Sequence, residues 1–210
     1  MNWTRTMKNG DSGSDVKELQ IRVAGWASDS ASQTKLTIDG AFGLGTEAAV
    51  KRFQRAYGLS VDGIAGPQTH NQLNALESSD GSTASFNFSE FHSKDGSGFS
   101  GGKVGSSQVK ESVRRLMYKL EALRKKLGNA PITINSGFRS INHNSNVGGA
   151  SNSMHLYGVA ADTDPSGKTP YQTAEIAKTC GFSGIIQYNT FVHVDSRIEY
   201  PYGSQFWYWA

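Results

Sequence analysis

A single cysteine, Cys180, in 210 residues excludes an intramolecular disulfide and with it any cysteine-built metal site. A metal held by this chain must therefore use imidazole and carboxylate groups. Cys180 itself, in IAKTCGF, reads as a buried small apolar residue. No apolar run is long enough to span a bilayer, and the opening MNWTRTMKNGDSG lacks the apolar stretch of a signal peptide, so membrane insertion is not expected. Charge of one sign is scarce too: 21 basic residues against 18 acidic leave +3, with KRFQR and RKK the densest spots. That is too mild for a nucleic-acid footprint. What is present is 37% hydrophobic and 10% aromatic content, enough for the packed cores of one large domain or two small ones.

An internal repeat organises the first third. DGAFGLGT (39–46) and DGIAGPQT (62–69) share the pattern D-G-x-x-G-x-x-T. Each Asp-Gly predicts a tight turn, because glycine tolerates positive φ, and each threonine stands where a helix would begin, Thr69 forming a capping box with Gln72. Ala49, Val50, Phe53 and Tyr57 recur at helical spacing between the turns, and Val16, Leu19, Ile21 and Val23 give an earlier amphipathic segment after Ser14 and Asp15. Three short helices on one small core follow. On these residues, DVKELQIRVAGW and TIDGAFGLGTEAAVKRFQRAYGLSVDGIAGPQTHNQL, the stretch from about 8 to 76 resembles the type 1 peptidoglycan-binding domain, a cell-wall targeting module. The resemblance implies a domain over 1–78 with bacterial peptidoglycan as partner.

ESSDGSTAS (77–85) is small, polar and without apolar periodicity, which predicts a flexible linker and places a domain boundary at 79–85. Beyond it, Phe86, Phe88 and Phe91 pack a partly irregular lead-in, and Val109, Val113, Leu116, Leu120, Leu123 and Leu127 form one helical stripe that Gly128 ends. Four β-type runs follow: PITINS, GVAADTD, GIIQY and FVHVDS, with a hairpin around Asn189 and Thr190. Thr169, Pro170 and Gln172 open a second helix that Gly181 closes. The order predicts an α+β domain over 86–210, with a mainly antiparallel sheet and flanking helices.

In FVHVD, strand alternation points Phe191, His193 and Asp195 to one face and Val192 and Val194 to the other layer. If SMHLYGVAAD runs as loop then strand beside it, His155, Asp162 and His193 converge as two imidazoles and a carboxylate, the ligand count of a catalytic zinc site with one open position. Each residue alone also fits a satisfied loop or core role.

Together, S-x-H-x-x-G-x-A-x-D, filled by Ser153, His155, Gly158, Ala160 and Asp162, preceded by SGFRSINHNSNVGGA and followed by a strand histidine, resembles the zinc D-alanyl-D-alanine carboxypeptidase and endopeptidase family of cell-wall enzymes, peptidase M15. The resemblance implies one Zn²⁺ on His155, Asp162 and His193, Arg139 gripping a substrate carboxylate or carbonyl through its planar fork, and Ser153 touching substrate backbone. It implies a hydrolase of peptidoglycan stems or cross-links, a carboxypeptidase or DD-endopeptidase, working as a monomer at the wall outside the cell as a secreted enzyme or a phage lysin.

The chain departs from the family where many members carry an acid three positions, or a histidine two positions, before the last ligand: it has Thr190 and Phe191. Asp195 is the substitute candidate for the catalytic base, a place behind His193 being its other reading. His143 is a further candidate, more simply an exposed loop histidine. Two alternatives stay open: a weak or inactive zinc-containing wall-binding protein, and a lysin cutting L-alanyl-D-glutamate bonds. The closing YPYGSQFWYWA reads either as a rim of the cleft or as a packed C-terminal anchor.

Overall fold

The computed structural model describes residues 1–200, 202 and 205–209. The N-terminal part holds α1 (Ser14–Val23), α2 (Leu44–Ala56) and α3 (Pro67–Ala75), packed on a core of Val16, Leu19, Phe42, Val50, Phe53 and Leu73. The repeat has a buried device at its centre. Gln20 on α1 and Gln54 on α2 each reach into the turn that follows. Gln54 Nε2 donates to Asp62 Oδ1, the Ile64 carbonyl and Thr69 Oγ1, while its Oε1 accepts from the Gly63 N–H. Gln20 does the same to Asp39, Ala41, Thr46 and Gly40.

Each threonine is thus spent on a glutamine, and this corrects the capping-box expectation. Helix α3 starts two residues before Thr69, with Pro67 at its first turn and Gly66 as its cap. Proline is suited there because its missing N–H would have no helical partner.

The C-terminal part is α+β. Helix α4 (Ser106–Lys126) is followed by β1 (Ile132–Ser136), α5 (Ile141–Asn146), β2 (Ala160–Pro165), α6 (Pro170–Ala177), β3 (Gly184–Gln187), β4 (Val192–Asp195) and β5 (Trp207–Trp209). The sheet runs β1-β2-β4-β3-β5, antiparallel except for the β3–β5 pair. The apolar stripe of α4 lies on one face of it with Phe86, Phe91, Ile185, Val192 and Val194, and Cys180 is buried there as expected. The capping box of Thr169 and Gln172 is present at α6.

Residues 77–85 differ from the flexible segment expected. They close a turn, with Ser78 N–H donating to the Ser82 carbonyl and Ala84 N–H to that of Leu76, and Ser82 and Thr83 are buried. Ser85 N–H then docks on Glu121 of α4. The polar composition misled because several of its groups bond one another and α4: Ser78 Oγ donates to the Thr83 carbonyl and Ser82 Oγ to Asp80 Oδ1.

Those parts share a seam. Ala122 of α4 belongs to the N-terminal core, and a Cβ on Gly25 would stand 2.4 Å from Ala122 Cβ, so only glycine permits that approach. Lys126 Nζ donates to the carbonyls of Gly25, Ser28 and Thr179, and Glu18 pairs with Arg22 and with Arg114.

Replacing Gln54 by leucine removes the partner of the buried Gly63 N–H and of Thr69 together. The expected loss is about 2–4 kcal/mol in urea-induced unfolding. A change below roughly 0.5 kcal/mol would mean that water takes over the glutamine's contacts.

Candidate metal centre

Strand pairing builds the site first. The β2–β4 register sets Asp162 opposite His193, which places a carboxylate and an imidazole side by side on one sheet face. Val192 and Val194 alternate into the core on the other face, so β4 cannot rotate. His155 arrives on a 3-10 turn, Met154–Tyr157. That turn ends at Gly158 with φ 72°, pressed so close to α4 that a Cβ would lie 2.8 Å from Val109 Cγ1. Both the left-handed backbone and the close approach call for glycine.

The three ligand atoms meet. Asp162 Oδ1 is 3.2 Å from His155 Nε2 and 3.0 Å from His193 Nδ1, and the two nitrogens are 3.2 Å apart. Bonds of about 2.0–2.1 Å to a tetrahedral ion give ligand–ligand edges of roughly 3.3–3.4 Å, so the triangle needs only a small expansion to hold a zinc-sized ion. All three side chains are buried, and they form one wall of a cleft of about 930 Å³ whose lining includes Arg139, Ser153, Tyr188, Phe191 and Tyr202.

Protons are distributed to suit a cation. His155 Nδ1–H donates to the Gly137 carbonyl at 2.5 Å, which leaves the Nε2 lone pair facing the cluster. Gly137 is packed so tightly that a Cβ would stand 2.5 Å from Phe91 Cα, and its carbonyl is thereby fixed. On the other ring, His193 Nε2 faces Asp195 Oδ2 at 3.1 Å and Nδ1 faces Asp162. Two imidazoles therefore present their inner nitrogens while their outer N–H groups are held by acceptors.

Burial drives both rings toward the neutral form, and in His155 it prevails and lowers the pKa. In His193 burial is outweighed by the carboxylates of Asp162 and Asp195, which raise it to about 9. Burial would raise Asp162, but hydrogen bonds from His155 and His193 hold its carboxyl far below the usual range. Asp195 behaves likewise, with His193 and Arg197 outweighing burial. Positive charge at the centre of the cluster is thus favoured by the two carboxylates.

Arg139 and Ser153 both line the cleft. Arg139 donates to Asp162 Oδ2 at 2.7 Å and through Nε to Ser136 Oγ, with no protein hydrogen bond from Nη1 among the described residues. Asp195 shares the face of His193, as expected, but stands on the far side of the ring from Asp162. Its side chain is fully buried and both oxygens are held by Arg197.

Asp195 does not line the cleft, and this placement favours its other reading, a place behind His193, over that of base. The cause is Gly184 on β3, where a Cβ would lie 2.1 Å from Asp195 Oδ2, so the carboxylate occupies the space a side chain would fill. Gly137, Gly184 and Arg197 escaped the sequence reading. Only the FVHVDSR run, with an arginine two residues beyond an aspartate, hinted at the last. His143 lies on α5 and does not line the cleft.

Two family models match the chain: a peptidoglycan-binding domain over residues 12–73 and peptidase M15 over 84–195. The zinc D-Ala-D-Ala carboxypeptidase of Streptomyces albus G is 46% identical over 184 residues, which is 88% of this chain and 71% of that protein. A spore cortex-lytic enzyme of Bacillus cereus is 39% identical over 82 residues, 38% of this chain and 29% of that protein. The crystal structure of the SleB N-terminal domain aligns at 39% identity and a TM-score of 0.29, covering 33% of this chain and 89% of that one. With its M15 match over more than half its length and a relative of the same kind along most of the rest, this chain belongs to the peptidase M15 family.

Proposed function

We propose that the chain is a zinc-dependent peptidase acting on the peptide stems or cross-links of bacterial peptidoglycan, first as a D-alanyl-D-alanine carboxypeptidase, with residues 1–78 holding it on the wall and 86–210 doing the chemistry outside the cell. The observation that carries this reading is the convergence of His155 Nε2, Asp162 Oδ1 and His193 Nδ1, each outer N–H already engaged, in a chain 46% identical to a zinc D-Ala-D-Ala carboxypeptidase. A wall-directed domain beside the peptidase supports peptidoglycan as the substrate.

In this reading His155, Asp162 and His193 hold the ion. Zinc, when bound, supplies Lewis acidity, polarising a carbonyl oxygen and making water nucleophilic near neutral pH. Arg139, fixed by Ser136 and Asp162, directs its remaining donors at the terminal carboxylate of the peptide, and Ser153 at the cleft wall contacts its backbone. Asp195 orients His193 and keeps Nδ1 unprotonated toward the ion, and Arg197 fixes Asp195. Among the described lining residues the only carboxylate and imidazoles are the three proposed ligands, and Phe191, two positions before His193, stacks on Tyr188. The proposed enzyme therefore works without the factor of about 10²–10⁴ that base assistance supplies. That observation also favours the second reading, a zinc-containing wall binder with little turnover.

The zinc-loaded protein is expected to release D-alanine from a synthetic stem peptide ending in D-Ala-D-Ala, in a chelator-sensitive manner. His193→Ala should abolish release and leave sacculus binding intact; no release by the parent protein would favour the binder.

Asp195→Ala should weaken zinc affinity by about 10–100-fold in chelator competition. An unchanged affinity would remove Asp195 from any positioning role.

In the metal-free protein His193 is protonated below about pH 9 and His155 is neutral at pH 7. Zinc uptake at pH 7 should accordingly release about one proton from the site, and release should fade as pH rises through 9. Calorimetry in buffers of different ionisation enthalpy counts it; a count near zero at pH 7 would show His193 already neutral.

A further inference from the structure

Two tryptophans stand in line with the metal centre and have no role in the mechanism above. Strand partners share a sheet face, so register traces two rows across the sheet. One runs Asp162, His193, Ile186, Trp209, and the next runs Ala160, Asp195, Gly184, Trp207. Trp207 and Trp209 therefore lie on the face that carries the ligands. Tyr208 alternates to the other face, where Lys178 Nζ sits 3.8 Å from its ring centroid.

The two rings are half exposed, at 51% and 56%, and only three residues form β5. The expected packed anchor is realised at its start by Tyr200 and Tyr202, which pack beside Tyr157, and at β5 by pairing with β3 and by Gln33 of the N-terminal part donating to the Trp207 carbonyl. The two tryptophan rings keep about half their surface exposed, and Pro201, Gly203, Ser204 and Ala210 of that segment lie outside the described residues.

We propose that Trp207 and Trp209 form a platform for a sugar ring of the glycan strand, so that the cleft reads the saccharide attached to a stem peptide as well as the peptide. This rests on the peptidase reading for the identity of the saccharide. A pyranose presents an apolar C–H face that stacks on a flat aromatic ring while its hydroxyls reach polar groups at the ring edge. The Arg197 guanidinium lies over one face of the Trp207 ring, 4.7 Å from its centroid, and the half-exposed ring keeps surface for a sugar. Tyr188 stands edge-on to Trp209, and Gln205 lines the cleft as a polar neighbour.

Distance fits as well. Two strand spacings of about 4.8 Å put Trp209 roughly 10 Å from His193 in the sheet plane, a span that an extended peptide covers in about three residues. A saccharide at the end of a short stem reaches the platform while the scissile bond lies at the ligands. A second copy of the chain suits the surface less, since an edge strand of three residues offers little backbone to pair.

The test compares the zinc-loaded protein and its Trp207→Ala and Trp209→Ala variants on one stem peptide, with and without its attached disaccharide. The parent should favour the disaccharide-bearing substrate by about tenfold in kcat/KM, mostly through KM, and either variant should bring the ratio close to one. Trp209→Phe, which keeps a stacking face, should retain part of the preference. Equal turnover of both substrates by the parent overturns the proposal. So does a concentration-dependent dimer that both variants abolish without any saccharide response.

A binding arm separates this from failure of the peptidase reading. The peptide-free disaccharide should shift the indole N–H resonances of Trp207 and Trp209 in the metal-free protein. If neither substrate is cut yet those shifts occur, the platform stands and the peptidase reading falls. No shift at millimolar disaccharide counts against the platform whatever the turnover.

Discussion

The antiparallel register between β2 and β4 is the constraint from which the site follows. It sets Asp162 beside His193 and Ala160 beside Asp195, and a slip of one residue would turn His193 and Asp195 into the core and Val192 and Val194 out of it. The apolar valines thus enforce the polar geometry. Because a register error would expose several buried apolar side chains, the position of the candidate metal ligands is secured by hydrophobic burial as well as by their own hydrogen bonds. Asp162, His155 and His193 are brought within 4.8 Å of one another by the fold itself.

Glycine does the complementary work by leaving space. Gly184 makes room for Asp195, Gly137 lets the carbonyl that holds His155 pass against Phe91, and Gly158 brings the His155 turn down on Val109. Each would place a Cβ within 3.0 Å of a neighbour, so each is a packing requirement as firm as a core leucine. The same device joins the two parts at Gly25 and Gly181, where Cβ atoms would meet Ala122 and the Ala24 carbonyl.

Much of this was legible from residues. Periodicity gave α4 and β-type runs gave four of the five strands of the sheet, while the S-x-H-x-x-G-x-A-x-D resemblance pointed to His155 and Asp162 and the FVHVD alternation to His193 as candidates, because alternation and loop spacing are local properties of the chain. What could not be read is non-local. Gln20 and Gln54 look like ordinary helix polar residues until the turns fold onto them. The 77–85 segment looked like a tether because composition reports solvation and not partners. Asp195 and His193 share a strand face, but which side of the imidazole the carboxylate meets depends on a hole in the neighbouring strand, which no spacing encodes.

Ordering of residues 77–85 changes what the N-terminal domain can do for catalysis. On a flexible tether it would raise local concentration and leave orientation free, with an effective concentration set by tether length. Here Lys126 is bound to two carbonyls across the seam, Glu18 and Arg114 pair across it, and Gln33 holds the backbone of β5. A domain bound to a glycan strand would present the cleft at a fixed angle and offset. Only peptides at matching positions along the polymer could then enter, and the orientational freedom surrendered on folding is not lost again on binding. In the proposed enzyme such rigidity would offset part of the cost of lacking a base in the cleft, since a correctly posed substrate spends a larger share of its bound time in reactive geometry.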